Sequence, residues 1–118
     1  MRTLVAAALA MFVSTASADE VDEAHRQALT GRDAYWNCLA REYSRDSNEG
    51  LSGPEFTDLV ASACPSERQY FRVALVDYLS QQFPDVDAGA RLTTANNAIA
   101  LAQKDIVTAF ARHKAVPK

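Results

Sequence analysis

Cys38 and Cys64 are the only two cysteines of the chain, and they constrain its fold more than any other feature. Between them lies Ser44-Arg45-Asp46-Ser47-Asn48-Glu49-Gly50-Leu51-Ser52-Gly53-Pro54-Glu55-Phe56, a run of turn formers that ends in a helix start. In an oxidising compartment two cysteines allow a single intramolecular pairing. That bond would close a loop around the turn and staple together the segments on either side. A bridge of this kind stabilises by roughly 3 kcal/mol in the chain-entropy view. The whole domain commands only about 5–15 kcal/mol, so the share is large. A reactive thiol or a metal pair is the alternative reading, but there is no C-x-x-C and no histidine close by in sequence.

The first residues point to such a compartment. Met1-Arg2-Thr3 carries one positive charge, Leu4 to Val13 is wholly apolar, and Ser14 to Ala18 ends in Ala-x-Ala before the acidic Asp19-Glu20. This is the layout of a cleavable signal peptide over residues 1–18. As a helix rising about 1.5 Å per residue, the apolar run reaches only about half of a ~30 Å hydrocarbon core. No cysteine stands near the cleavage point to carry a lipid. The expected destination is the bacterial periplasm through a Sec-type signal, with secretion into the medium as the alternative. No stable membrane anchor is expected after cleavage.

Residues 19–118 then form one domain. Without Arg2 the chain holds 11 basic and 15 acidic residues, a net charge of −4. Basic residues are scattered apart from Arg112, His113, Lys114 and Lys118, so no nucleic-acid footprint is present.

The apolar spacing is helical throughout, and the expected fold class is all-α: a small bundle of three to four helices pinned by one disulfide. A first helix is expected from about Val21 to Tyr43, on Val21, Ala24, Ala28, Tyr35 and Leu39. Thr30-Gly31-Arg32-Asp33 carries a break signal, with Thr30 as a candidate second N-cap. Ser52-Gly53-Pro54-Glu55 has the form of a capping box and opens a second helix with the stripe Phe56, Leu59, Val60 and Ala63. Pro65 disfavours helix at Cys64, which implies either a kink or a fresh start at Ser66. The segment to Phe83 carries the stripe Phe71, Leu75, Tyr78 and Gln82. Asp85 or Asp87 caps the last helix, Ala88 to about His113. Its seam is Leu92, Ala95, Ile99, Ala102, Ile106 and Ala109, with Phe110 beside it. Val116 to Lys118 is expected to fray.

The stretch after Ser44 also resembles a calcium loop. With Glu55 at the twelfth position, Ser44 falls at the first, Asp46 at the third, Asn48 at the fifth and Ser52 at the ninth. The first position lacks its aspartate, and Glu49 stands where the sharp turn needs glycine. Pro54 adjoins the bidentate position, and no second loop pairs with it. Calcium binding through Ser44, Asp46, Asn48 and Glu55 is the alternative function; the leading reading is a helix corner capped by Ser52 and Glu55.

Other chemistry is sparse, and no enzyme is expected. His25 and His113 stand in polar helix-end contexts, as surface or capping residues. Nucleotide, nucleophile-elbow and zinc-helix motifs are absent. Tyr35-Trp36 and Tyr70-Phe71 each place one ring inward and one at the rim, or else form a stacking platform. Asn96, near the apolar seam, either sets register through a buried hydrogen bond or marks a partner-facing groove.

Trp36-Asn37-Cys38 and Ala63-Cys64, in a small exported helical chain, resemble the acid-stress periplasmic chaperones of the HdeA type. They also resemble exported bacterial helical proteins with one cysteine on each of two helices. The stretch between the cysteines is shorter here than in the chaperones. That likeness implies an apolar, partner-binding surface uncovered at low pH. The function expected from residues and resemblance together is a non-enzymatic, periplasmic interaction or stress module. It would need no cofactor and would bind a protein partner or a second copy of itself. A small enzyme or inhibitor with an unrecognised site is the remaining alternative.

Overall fold

A computed structural model describes residues 18–115. Of the expectations above, the signal peptide (apart from Ala18) and the fraying of residues 116–118 lie outside the described residues. Four α-helices and one short 3-10 turn make up the described chain, with no strand among the described residues: α1 Ala18–Ser44, the turn Asp46–Asn48, α2 Gly53–Ser62, α3 Pro65–Gln82 and α4 Ala88–Ala115. The all-α reading therefore stands, and no helix among the described residues is long and apolar enough to cross a membrane.

The first helix is already formed at Ala18, ahead of the expected start at about Val21, and it corrects one expectation by running without a break through Thr30-Gly31-Arg32-Asp33. Gly31 is buried there because another helix crosses at that point, not because the chain turns. A Cβ on Gly31 would lie 2.9 Å from the Phe71 Cα and 3.2 Å from the Tyr70 ring. Close backbone approach thus outweighs the weak helix propensity of glycine. Ala24 and Ala28 of α1, Ala74 of α3 and Ala95 of α4 are buried as well. Small residues let the long helices pack closely at this end of the molecule.

The other end is filled by large side chains. Tyr35, Leu39, Phe56 and Val60 are fully buried, and Phe71, Ile99, Ile106 and Phe110 close around them. Phe56 stacks on Phe110 with ring centroids 3.9 Å apart and an interplanar angle of 13°. The Tyr35 hydroxyl, inside this core, accepts a 3.0 Å hydrogen bond from Gln103 Nε2, so its burial leaves no unpaired oxygen. The most extensive packing is α1 against α3, followed by α3 against α4, and α2 lies on α4.

Pro65 starts a fresh helix rather than kinking an existing one. Ala63 ends α2 in extended backbone, and Cys64 takes φ 54°, ψ 50° as the residue before Pro65, the first of α3. Cys64 is the one non-glycine residue with positive φ among the described residues. Asp87 provides the cap at the start of α4, its Oδ1 accepting from the Gly89 N–H at 3.2 Å. The α4 seam is buried at Ala95, Ile99 and Ile106, whereas Leu92 near the helix start is 45% exposed. Asn96 makes no buried hydrogen bond: it is exposed, and its side-chain oxygen accepts from Arg72 Nε at 2.9 Å, bridging α4 to α3.

These contacts predict a contrast between two glycines. Gly31→Val should lower stability by about 1–3 kcal/mol through overpacking against Phe71. The few tenths of a kcal/mol that valine gains over glycine in helix propensity do not offset this. Gly50→Ala, where a Cβ meets nothing within 4 Å, should stay within about 0.5 kcal/mol of the parent. Urea denaturation midpoints measure both; equal midpoints would contradict the close crossing.

Candidate functional site

The corner between α1 and α2, and the one between α2 and α3, gather most of the residues that the sequence singles out. Cys38 and Cys64 are brought together, with Cα atoms 6.1 Å apart and sulfurs at a bonding distance of 2.00 Å. Cys38 is half-buried and Cys64 is 7% exposed. Among the described residues, the one cluster with metal-like spacing is Cys38, Cys64 and Glu67, and its two sulfurs are spent on each other. No described cysteine is free.

The loop from Ser44 to Glu55 turns the chain through internal hydrogen bonds. Ser52 and Glu55 form the capping box reciprocally: the Ser52 Oγ accepts from the Glu55 N–H at 3.2 Å, and the Glu55 carboxylate accepts from the Ser52 N–H at 3.1 Å. Asn48 is buried, and its side-chain amide donates to the Glu42 carbonyl at 2.9 Å and to the Glu42 carboxylate at 3.2 Å. It ties down a carbonyl in the last turn of α1, the place where helices leave acceptors unpaired. Asp46 opens the 3-10 turn, and Ser44 is the last residue of α1. Lys114 donates to the Leu51 carbonyl and lies 5.2 Å from the Phe110 ring centroid, so the end of α4 is roped to the corner. Of the five residues aligned with calcium-loop positions, Asn48, Ser52 and Glu55 thus hold internal hydrogen-bond partners.

Around this corner the aromatic rings form a connected set. Tyr43 meets Phe110 edge to face at 6.3 Å and His113 at 5.8 Å. His25 lies 4.8 Å from the Tyr78 ring near the start of α1. The two imidazoles thus sit towards opposite ends of α1, each against a tyrosine. Tyr35 and Phe71 point inward, while Trp36 is 38% and Tyr70 42% exposed, as the paired-aromatic spacing implies. A shallow concavity between α1 and α3 is lined by Asp19, Glu20, Glu23, Ala24, Gln27, Asp77 and Gln81. Glu23 is engaged there by Arg26 at 2.7 Å and by Gln27 at 3.0 Å.

Three features escape a reading by pattern. The burial of Asn48 depends on a carbonyl six residues back, Lys114 finds its acceptor far away in sequence, and the left-handed Cys64 belongs to a residue type that seldom takes that conformation. Pro65 disfavours helix at the residue before it but pushes that residue towards extended backbone, so it gives no signal of the left-handed conformation.

No family model, curated protein or solved structure matches the chain.

The Glu55 carboxyl is held below the ordinary glutamate range, chiefly by the Ser52 backbone N–H, then by the Ser52 side chain, with Lys114 a lesser contributor. A lowered folded-state pKa gives stability that is present above the unfolded value and is lost as pH falls through the folded one. The stability gap between the parent and Glu55→Gln should therefore be widest at neutral pH, begin to narrow near the ordinary glutamate value of about 4.3, and close only below the lowered folded-state value. Urea midpoints from pH 7 to pH 3 read this, and a gap independent of pH would contradict it. Ser52→Ala, which removes the reciprocal partner, should cost about 1 kcal/mol at pH 7.

Proposed function

We propose that this is an exported, non-enzymatic helical module of the bacterial periplasm that binds a protein partner and acts as a chaperone-like stress protein. One observation carries this reading: large apolar side chains stand exposed on a domain whose core is already filled. Phe83 is 50%, Val86 41% and Leu92 45% exposed, all within ten residues at the α3–α4 turn. The Val86 N–H donates to the Phe83 carbonyl at 3.1 Å, so the turn that carries the first two is a hydrogen-bonded one. Val73 on α3 and Leu101 on α4 are exposed by more than half. Scattered exposed leucines are ordinary on soluble proteins, but a concentration of large apolar groups at one tip favours contact with another protein.

The rest of the site agrees with a binding role. The two cysteines are bonded to each other, the two imidazoles are far from each other, and the capping carboxylate is taken up by backbone. The resemblance to acid-stress chaperones, carried by Trp36-Asn37-Cys38 and Ala63-Cys64, points the same way.

The test is suppression of client aggregation. The parent protein should slow light scattering by an acid- or heat-destabilised periplasmic client. Phe83→Glu combined with Val86→Glu should reduce that protection several-fold while leaving the stability of the domain within about 0.5 kcal/mol, since both positions are exposed. Equal protection by parent and variant, or none by the parent at any pH, would refute the reading.

A further inference from the structure

Of all the helices, α2 has the weakest hold on the rest. It spans only ten residues, fewer than the roughly 12–15 at which an isolated helix begins to persist in water. Its packing runs mainly to α4, through the Phe56–Phe110 stack. At one end the Lys114 contact to Leu51 holds the approach to it. At the other end stands Cys64, in left-handed backbone that an L-residue adopts only where its surroundings impose it. The same residue forms the bond to Cys38 on α1. One covalent bond therefore holds both a disfavoured backbone conformation and the exit of a helix that cannot stand alone.

We infer that the Cys38–Cys64 bond is a redox latch on α2. Its two-electron reduction lets the corner at Cys64 relax and α2 lift from α4. The face uncovered is formed by Leu39, Ile106 and Phe110, and by Phe56 and Val60 of α2 itself, all of one buried cluster.

The reductant is a dithiol. Its thiolate attacks Sγ of the half-buried Cys38, the S–S bond breaks, and Cys64 leaves as a thiolate that takes up a proton. The second thiol of the reductant then attacks the mixed disulfide and releases Cys38. Two protein thiols and one oxidised dithiol result. The Cys64 sulfur departs beside the N-terminus of the 18-residue α3, a position that favours a thiolate, with Glu67 close by opposing it.

Hydrogen exchange on the full mature chain, with and without dithiothreitol as the dithiol, tests this. Reduction should speed exchange of the amides in the last turn of α2, Leu59 to Ser62, by about 300-fold, the fold-change that corresponds to the entropy of a loop of this length. Amides from Ile99 to Ile106 should then exchange at least about tenfold more slowly than those of α2. Equal acceleration of α2 and α4, or none in either, overturns the latch.

A double variant, Cys38→Ala with Cys64→Ala, should release α2 without reductant. Cys38→Ala with Cys64→Gly, which accepts left-handed backbone, should release it several-fold less. Equal exchange in these two variants overturns the role of the strained corner, and if either fails to fold, the reduction of the parent still decides. What the uncovered face does for the cell rests on the partner-binding reading. Exchange reads the latch alone, so a working latch without client protection counts against that reading only.

Discussion

The bond between Cys38 and Cys64 does more than join two residues. It holds Cys64 in left-handed backbone between Ala63, where α2 ends, and Pro65, where α3 begins. A disulfide enclosing a loop of this length contributes about 3.5 kcal/mol by restricting the unfolded chain. That exceeds the ~1–2 kcal/mol that the backbone of Cys64 costs. The margin is spent on placement: α2 arrives over α4 with Phe56 and Val60 fully buried, each adding about 1.5–3 kcal/mol of apolar burial. Without the corner, α2 is too short to find that position by helix propensity.

The molecule is therefore built in two halves with different physics. At one end α1, α3 and α4 approach through Ala24, Ala28, Gly31, Ala74 and Ala95, where the absence of side-chain bulk is the stabilising feature. At the other, α2 completes a core of rings and branched side chains, sealed by Asn48, Lys114 and the capping box. The exposed apolar tip at Phe83, Val86 and Leu92 lies at the α3–α4 turn, distant in sequence from α2.

Much of this was legible in the residues because it is local. The capping box at Ser52 and Glu55 needs only its own four positions, and the helical stripes of α2 and α4 follow from period alone. Gly31 was misread as a break because a buried helix crossing and a loop both select glycine, and only the position of Phe71 separates them. The exposure of Asn96 is not legible, because spacing places a residue near a seam without showing that Arg72 reaches across the surface to it. The turn at Asp46–Asn48 was legible as composition, while the burial of Asn48 was not, since its acceptors on Glu42 belong to the preceding helix.

Function was less legible for the same reason. An interaction surface has no spacing rule of the kind that marks a metal site or a nucleophile. It shows as exposed apolar area once the fold has used the rest. The cysteines are the one place where sequence, fold and proposed activity meet, because the bond can form only where thiols oxidise and because it decides whether α2 is docked. Peptide mapping under non-reducing conditions, on protein recovered from its native compartment with thiols blocked at lysis, tests this most directly. The account predicts a single linked species joining the Cys38 and Cys64 peptides; both peptides carrying the blocking group, with no linked species, would contradict it.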